Sequence, residues 1–181
     1  MEIVVEKEAK LGELLLYVAG KVRTDPTGGA TKLNKILFFS EFSAVRALGE
    51  PITGVAYQKL ERGPAPRRLV PIRTALVESG AAELVDDQYF GRTIHRLVPR
   101  READLSSFNE EQVRIVDQVI DALWGKTAGE VSERSHEEMG WKMVEDGEEI
   151  PYSAAYLAPA FKPNEAVREH AARLVASRRP E

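Results

Sequence analysis

Apolar positions fall in two rhythms along this chain, and the changes between them mark out its elements. Leu11, Leu14, Leu15, Val18 and Val22 recur at spacings of three and four, one stripe of an amphipathic helix from about Lys7 to Val22. Thr24-Asp25-Pro26-Thr27-Gly28-Gly29 ends it, because proline cannot continue the ladder and paired glycines favour an open turn. Thr31 is the expected N-cap of a second helix whose stripe is Leu33, Ile36, Leu37, Ser40, Ala44 and Leu48, with Gly49 closing it. Phe38, Phe39 and Phe42 spread the apolar surface beyond one face, so this helix is expected to be central and covered on both sides.

The rhythm then shortens. Val55, Tyr57 and Lys59 alternate with Ala56, Gln58 and Leu60, which predicts a short strand before Gly63-Pro64-Ala65-Pro66 breaks the chain. A third helix is expected from about Pro66 to Glu78, carrying Leu69, Ile72 and Leu76 inward, with Pro71 as a possible kink. Ala82 and Leu84 against Ile94 and Leu97 flank the polar tip Asp86 to Gly91, the pattern of a β-hairpin. Helix, helix, strand, helix and hairpin in that order is a winged-helix-like arrangement, expected over residues 7–101.

Residues 108–178 read as a helical part of the same domain. Asn109 with Gln112, and Thr127 with Glu130, are capping-box pairs that start two helices, the first with the stripe Val113, Val116, Ile120 and Leu123. Asp146-Gly147 marks a turn, Pro151-Tyr152 an extended segment, and Pro163 opens a last helix with Val167, Ala171 and Leu174 inward, before Arg178-Arg179-Pro180 frays. The fold class expected is α+β, mainly α, with residues 1–181 as a single domain.

Composition narrows the function classes. At 181 residues, 43% hydrophobic and 30% charged, the chain can bury a core without metal or disulfide staples. It has no cysteine, hence no disulfide, no thiolate nucleophile and no cysteine-ligated zinc. No apolar run approaches the roughly 20 residues that span a bilayer, and the start Met1-Glu2-Ile3-Val4-Val5-Glu6 lacks a signal peptide's basic and apolar regions. A cytoplasmic protein without membrane contact is the expectation.

Candidate catalytic groups are scarce. His95, His136 and His170 lie in separate elements, and His136-Glu137-Glu138 lacks the second histidine of a zinc-protease helix. Serine-nucleophile, phosphate-loop and dinucleotide motifs are missing, and Glu110-Glu111, Glu137-Glu138 and Glu148-Glu149 are adjacent in sequence, so on a helix they point apart. No enzyme, no metal and no cofactor is therefore expected, and His136 reads as a structural residue.

Charge is distributed unevenly. The net charge is −4, yet residues 51–101 carry +4, with Lys59, Arg62, Arg67, Arg68, Arg73, Arg92, Arg96, Arg100 and Arg101 against five acidic residues. In a winged helix Arg67, Arg68 and Arg73 would sit by the recognition-type helix and Arg92 and Arg96 on the wing, which makes a DNA-binding regulator the alternative function. The overall acidity, and Asp86-Asp87 at the wing tip, argue against it. Trp124 and Trp141 are expected in the core, whereas Tyr57, Tyr89 and Phe90 are candidates for a protein interface.

Three stretches, taken together, resemble a known family. They are Lys32-Leu33 through Phe39; Ile52-Thr53-Gly54 with Tyr57 and Gly63-Pro64; and Ser132, Ser135, His136, Trp141 and Tyr152. Their order and spacing resemble the Panacea, or SocA-like, domain found chiefly in antitoxins of bacterial and phage toxin–antitoxin pairs. Arg62 departs from the pattern, standing where an aromatic is expected before Gly63-Pro64. The resemblance implies a non-enzymatic, stoichiometric neutraliser of a protein toxin encoded nearby, and one SocA-type relative also delivers its toxin to an ATP-dependent protease. It implies structural roles for Lys32, Leu33, Gly63, Pro64, Ser135, His136, Trp141 and Tyr152. The surface expected to meet the partner comprises Tyr57, Arg62, Arg67, Arg68, Tyr89, Phe90 and Arg92, where aromatics stand beside arginines.

Overall fold

The computed structural model describes residues 2–157. The expected last helix from Pro163, with His170 and the end at Arg178-Arg179-Pro180, lies outside the described residues. The elements are α1 (Glu2–Lys21), α2 (Ala30–Leu48), β1 (Tyr57–Gln58), β2 (Ala65–Pro66), α3 (Leu69–Glu78), β3 (Ala82–Tyr89), β4 (Arg92–Pro99), α4 (Glu110–Leu123), α5 (Ala128–His136), α6 (Met139–Met143) and β5 (Glu149–Ile150). Short 3₁₀ turns follow α1 at Val22–Thr24 and β5 at Tyr152–Tyr156. The fold is α+β and mainly α.

Helix α2 is central, as its apolar surface requires. It packs against α1, α4, α5 and the Tyr152–Tyr156 turn, and buries Phe38, Phe42, Ile36 and Leu37 together with three charged side chains, Lys32, Lys35 and Glu41. Leu11, Leu14, Leu15 and Val18 of α1 are buried against it, each contributing about 1.5–3 kcal/mol by leaving water. Helix α1 starts earlier than its apolar stripe, at Glu2. Val4 and Val5 are exposed, so the first turns stand on the helix propensity of Glu, Lys and Ala rather than on packing.

Several expected boundaries move for identifiable reasons. Gly29, in extended backbone, precedes α2 as its N-cap, and Thr31 lies inside the helix. The glycine is needed for space: a Cβ at Gly29 would run into the side chain of Ile94 on β4. Helix α3 begins at Leu69 because Pro66 belongs to β2, pairing with Tyr57 across an antiparallel ladder. Pro71 thereby falls in the first turn of α3, where its missing N–H removes no helical bond, so it need not kink the helix.

Two small antiparallel sheets form. The first has the order β2-β1-β5 and the second is the hairpin β3-β4. The order helix, helix, strand, helix, hairpin is present, but β1 joins β2 and the distant β5 rather than the hairpin. The hairpin strands run further than expected, to Tyr89 and Arg92, leaving Phe90-Gly91 alone as the tip. Asp86 and Asp87 thus lie within β3, opposite His95 and Ile94, and not at the tip. Asp86 meets His95 Nδ1 at 2.6 Å, and Asp87 accepts from Arg96 Nε at 2.8 Å.

Both capping boxes are present, Asn109 with Gln112 on α4 and Thr127 with Glu130 on α5. Trp124 is a correction to the expected core: it is the C-cap residue of α4 and is exposed, at 44%. No helix among the described residues is long and apolar enough to cross a membrane.

Candidate partner interface

A groove of about 720 Å³ lies between the hairpin tip, the starts of α2 and α5, and the turn before Gly63. Arg62, Tyr89, Phe90 and Arg92, four of the seven side chains expected to meet a partner, line it together. Its floor is Gly29, Ala30 and Thr31 at the start of α2 and Thr127, Ala128 and Gly129 at the start of α5. Sequence reasoning did not place this floor at the interface, although each stretch carries a legible helix-start signal.

The other three expected residues lie elsewhere. Tyr57 is a correction: it is 1% exposed, so it cannot be an interface aromatic. On β1 it faces the core and packs with Phe38, Phe42 and Tyr152, ring centroids 5.7, 5.9 and 6.4 Å away. Arg67 donates from Nη2 to the Gly147 carbonyl at 3.0 Å, and Arg68 from Nε to Glu8 at 2.9 Å. Both are surface residues tied to neighbouring segments, and neither lines the groove.

The hairpin is held rather than free. Arg96 on β4 donates from Nη1 to the Asp25 carbonyl at 2.9 Å and from Nη2 to the Pro26 carbonyl at 2.8 Å, anchoring the hairpin to the loop between α1 and α2. That loop is fixed from within by Lys32, whose Nζ donates to Asp25 Oδ2 and Thr27 Oγ1, both at 2.6 Å, in a fully buried ion pair. Burial opposes ionisation of Asp25, but the bonds from Lys32 and Thr27 prevail and hold its carboxyl below the usual range. Thr27 Oγ1 also donates to the Lys126 carbonyl at 2.8 Å, linking the loop to the approach of α5.

The tip presents its aromatics outward. Phe90 and Gly91 both have positive φ, 47° and 74°, the signature of a type I′ turn. Among the described residues Phe90 is the one non-glycine with positive φ, and it is 89% exposed. It meets Tyr89 edge-on at 4.7 Å and 90°.

The turn that carries Arg62 is clamped by the residues that carry the family resemblance. Lys35 donates from Nζ to the Pro64 carbonyl at 3.1 Å, Ser132 from Oγ to the Arg62 carbonyl at 3.2 Å, and Trp141 from Nε1 to the Leu60 carbonyl at 3.2 Å. Ser135 donates to the Ser132 carbonyl at 2.7 Å, and His136 stacks on Trp141 with centroids 4.1 Å apart. Gly63 has φ 92°, and any side chain there would collide with Ser135 and Lys35. Tyr152 donates to the Val55 carbonyl at 2.7 Å, and Leu33 is buried in the core.

Two groups in this clamp, the buried Lys35 and the half-buried His136, are electrostatically unusual. Lys35 is 2% exposed with no carboxylate partner among the described residues, and burial pulls its ammonium down to about 8. Burial, and then the neighbouring Lys35 charge, hold the His136 imidazole below its usual range, and its Nε2 is buried with no hydrogen-bond partner. A third buried ionisable group, Glu41, accepts from the Ile52 amide at 2.8 Å and from the Thr53 amide and hydroxyl. Burial pushes its carboxyl up despite these bonds. Lys35 and Glu41 were not singled out as buried charges from the sequence; the available signal was a charged residue within a helix that is apolar on more than one face. Among the described residues, no group of three or more His, Cys, Asp or Glu could hold a metal ion.

The fold and these clamps can be set beside known families. Residues 33–142, more than half of the chain, match the family described as antitoxin SocA-like, Panacea domain. The chain belongs to this family. Lys32 and Tyr152 lie just beyond the matched stretch. No curated protein and no solved structure matches the chain.

Proposed function

We propose that the protein is a single-domain, non-enzymatic antitoxin of bacterial or phage origin that acts in the cytoplasm and neutralises a toxin encoded nearby by binding it stoichiometrically, with the hairpin tip and the adjoining groove as the contact surface. Family membership supports an antitoxin role in general. The observation that carries the surface is Phe90. A bulky side chain in left-handed backbone costs on the order of 1 kcal/mol, and one that is 89% exposed recovers little of that by burial in its own fold. Strain of this kind, offset within the fold only by the edge-on contact with Tyr89, is what a site kept for a partner displays. A large exposed ring beside arginines is also the composition of binding hot spots.

The DNA-binding alternative receives less support. Of the nine basic side chains between residues 51 and 101, Arg68, Arg96, Arg100 and Arg101 are ion-paired with Glu8, Asp87, Glu83 and Glu13, and Lys59 and Arg67 donate to backbone carbonyls. Arginines already engaged within the fold are poor phosphate ligands, because each would have to break a contact first. The test is the triple variant Tyr89→Ala, Phe90→Ala, Arg92→Ala. It is expected to lose capture of the neighbouring gene's product, and rescue of cells expressing that product, while its melting temperature stays within a few degrees of wild type. Unchanged capture and rescue would overturn the assignment of the surface.

A further inference from the structure

We infer that the groove beside the hairpin tip recognises an acidic segment of a protein partner that carries an apolar side chain next to its carboxylates, an inference that rests on the antitoxin reading for the identity of the partner but not for the chemistry. The groove lining includes Arg62 and Arg92 and no Asp or Glu, while His95, also in the lining, is already engaged by Asp86. Among the described residues, Arg62 and Arg92 have no carboxylate partner, whereas four of the other six arginines between residues 51 and 101 are paired. Two exposed guanidinium groups, left unpaired in a chain of net charge −4, converge on one concavity. A carboxylate entering there gains charge-assisted, fork-shaped hydrogen bonds without displacing an internal partner.

The α2 side of the floor adds to the same sign of potential. The first turn of the 19-residue helix α2 contains no acidic residue and its N-cap Gly29 supplies no side-chain acceptor, so the positive end of the helix dipole lies at the groove, whereas the start of α5 is already capped by Glu130 on Thr127. On the far wall stand Tyr89 and Phe90, giving the apolar contact that a carboxylate alone would not use. Arginines beside aromatics could equally suggest single-stranded nucleic acid. One feature favours a peptide: the rings meet edge-on at 90° and offer no parallel platform for stacked bases.

The test is a selection of random 12-residue peptides displayed on phage against the full-length chain, followed by fluorescence anisotropy of the recovered peptides with wild type, Arg62→Glu and Arg92→Glu. Both substitutions are at exposed positions, and thermal melts check that each variant stays folded. The expected result is a consensus of two or more Asp or Glu beside an aromatic or aliphatic residue, binding that weakens about tenfold in either variant and falls with added salt, and no competition from a ten-residue oligothymidylate. Failure to enrich acidic residues, equal affinity for wild type and both variants, or displacement by the oligothymidylate would overturn the inference. Because the assay contains no toxin, its failure is separate from failure of the antitoxin reading, which the rescue assay reports.

Discussion

Replacing Phe90 by Asn separates what the hairpin needs from what its partner needs. Asn-Gly is the preferred pair for a type I′ turn, since both residues accept positive φ, so Phe90→Asn should relieve about 1–2 kcal/mol of backbone strain at φ 47°. The substitution also removes the edge-on contact with Tyr89 at 4.7 Å, worth roughly 0.5–1 kcal/mol at this exposed position. The net expectation is a gain of about 0.5–1 kcal/mol, which in a chain of this size raises the melting temperature by about 1–4 °C. If Phe90 anchors the interface, the same change costs at least about 2 kcal/mol of binding, roughly 30-fold in affinity. Calorimetric melting and titration against the captured partner read the two effects separately. A melting temperature lowered by several degrees would show that the ring serves the fold, and unaltered affinity would show that it serves no partner; either result refutes the reasoning.

Other expectations follow from the buried charges and the clamp. Lys32→Met should cost about 3–5 kcal/mol by leaving Asp25 buried without its counter-ion, and the double variant with Asp25→Asn should recover part of that loss, both read by urea denaturation. Lys35 binds its proton up to about pH 10.5 when unfolded and only to about 8 when folded. The unfolded state therefore holds more protons between those values, and wild-type stability should rise by about 3 kcal/mol relative to Lys35→Met as pH climbs through that window. A difference between the two proteins that is flat with pH would contradict the burial argument. Gly63→Ala should destabilise by more than about 2 kcal/mol, combining left-handed backbone with collision against Ser135 and Lys35, and should weaken partner capture by displacing Arg62.

Local rules carried most of the architecture. Helix periodicity located α1, α2 and α4, and the capping boxes of Asn109 and Thr127 fixed the starts of α4 and α5. These signals depend on residues three or four apart, so one sequence suffices to read them. Pairings that depend on distant segments were less legible. Nothing in the alternation around Tyr57 says that β1 will pair with Glu149–Ile150, nor which of its faces meets the core, and so a tyrosine read as an interface residue lies buried against Phe38 and Phe42. Trp124 erred the other way, because aromatic size favours burial but a helix end beside Gly125 gave it nothing to pack under. The site divides along the same line. Tyr89, Phe90 and Arg92 were accessible from their place beside a hairpin turn. The convergence of Arg62 on them is a tertiary fact, set by the clamp of Lys35, Ser132 and Trp141 on the turn that carries it.

The central claim is that this chain works by holding a protein partner at its hairpin tip, and titration calorimetry of the purified chain with the purified product of the neighbouring gene tests it most directly. Saturation at a fixed whole-number ratio with nanomolar affinity, lost when Tyr89, Phe90 and Arg92 are replaced by alanine, is the predicted result. No saturable heat with a product that the chain nevertheless neutralises in cells, or binding indifferent to the triple substitution, would contradict it.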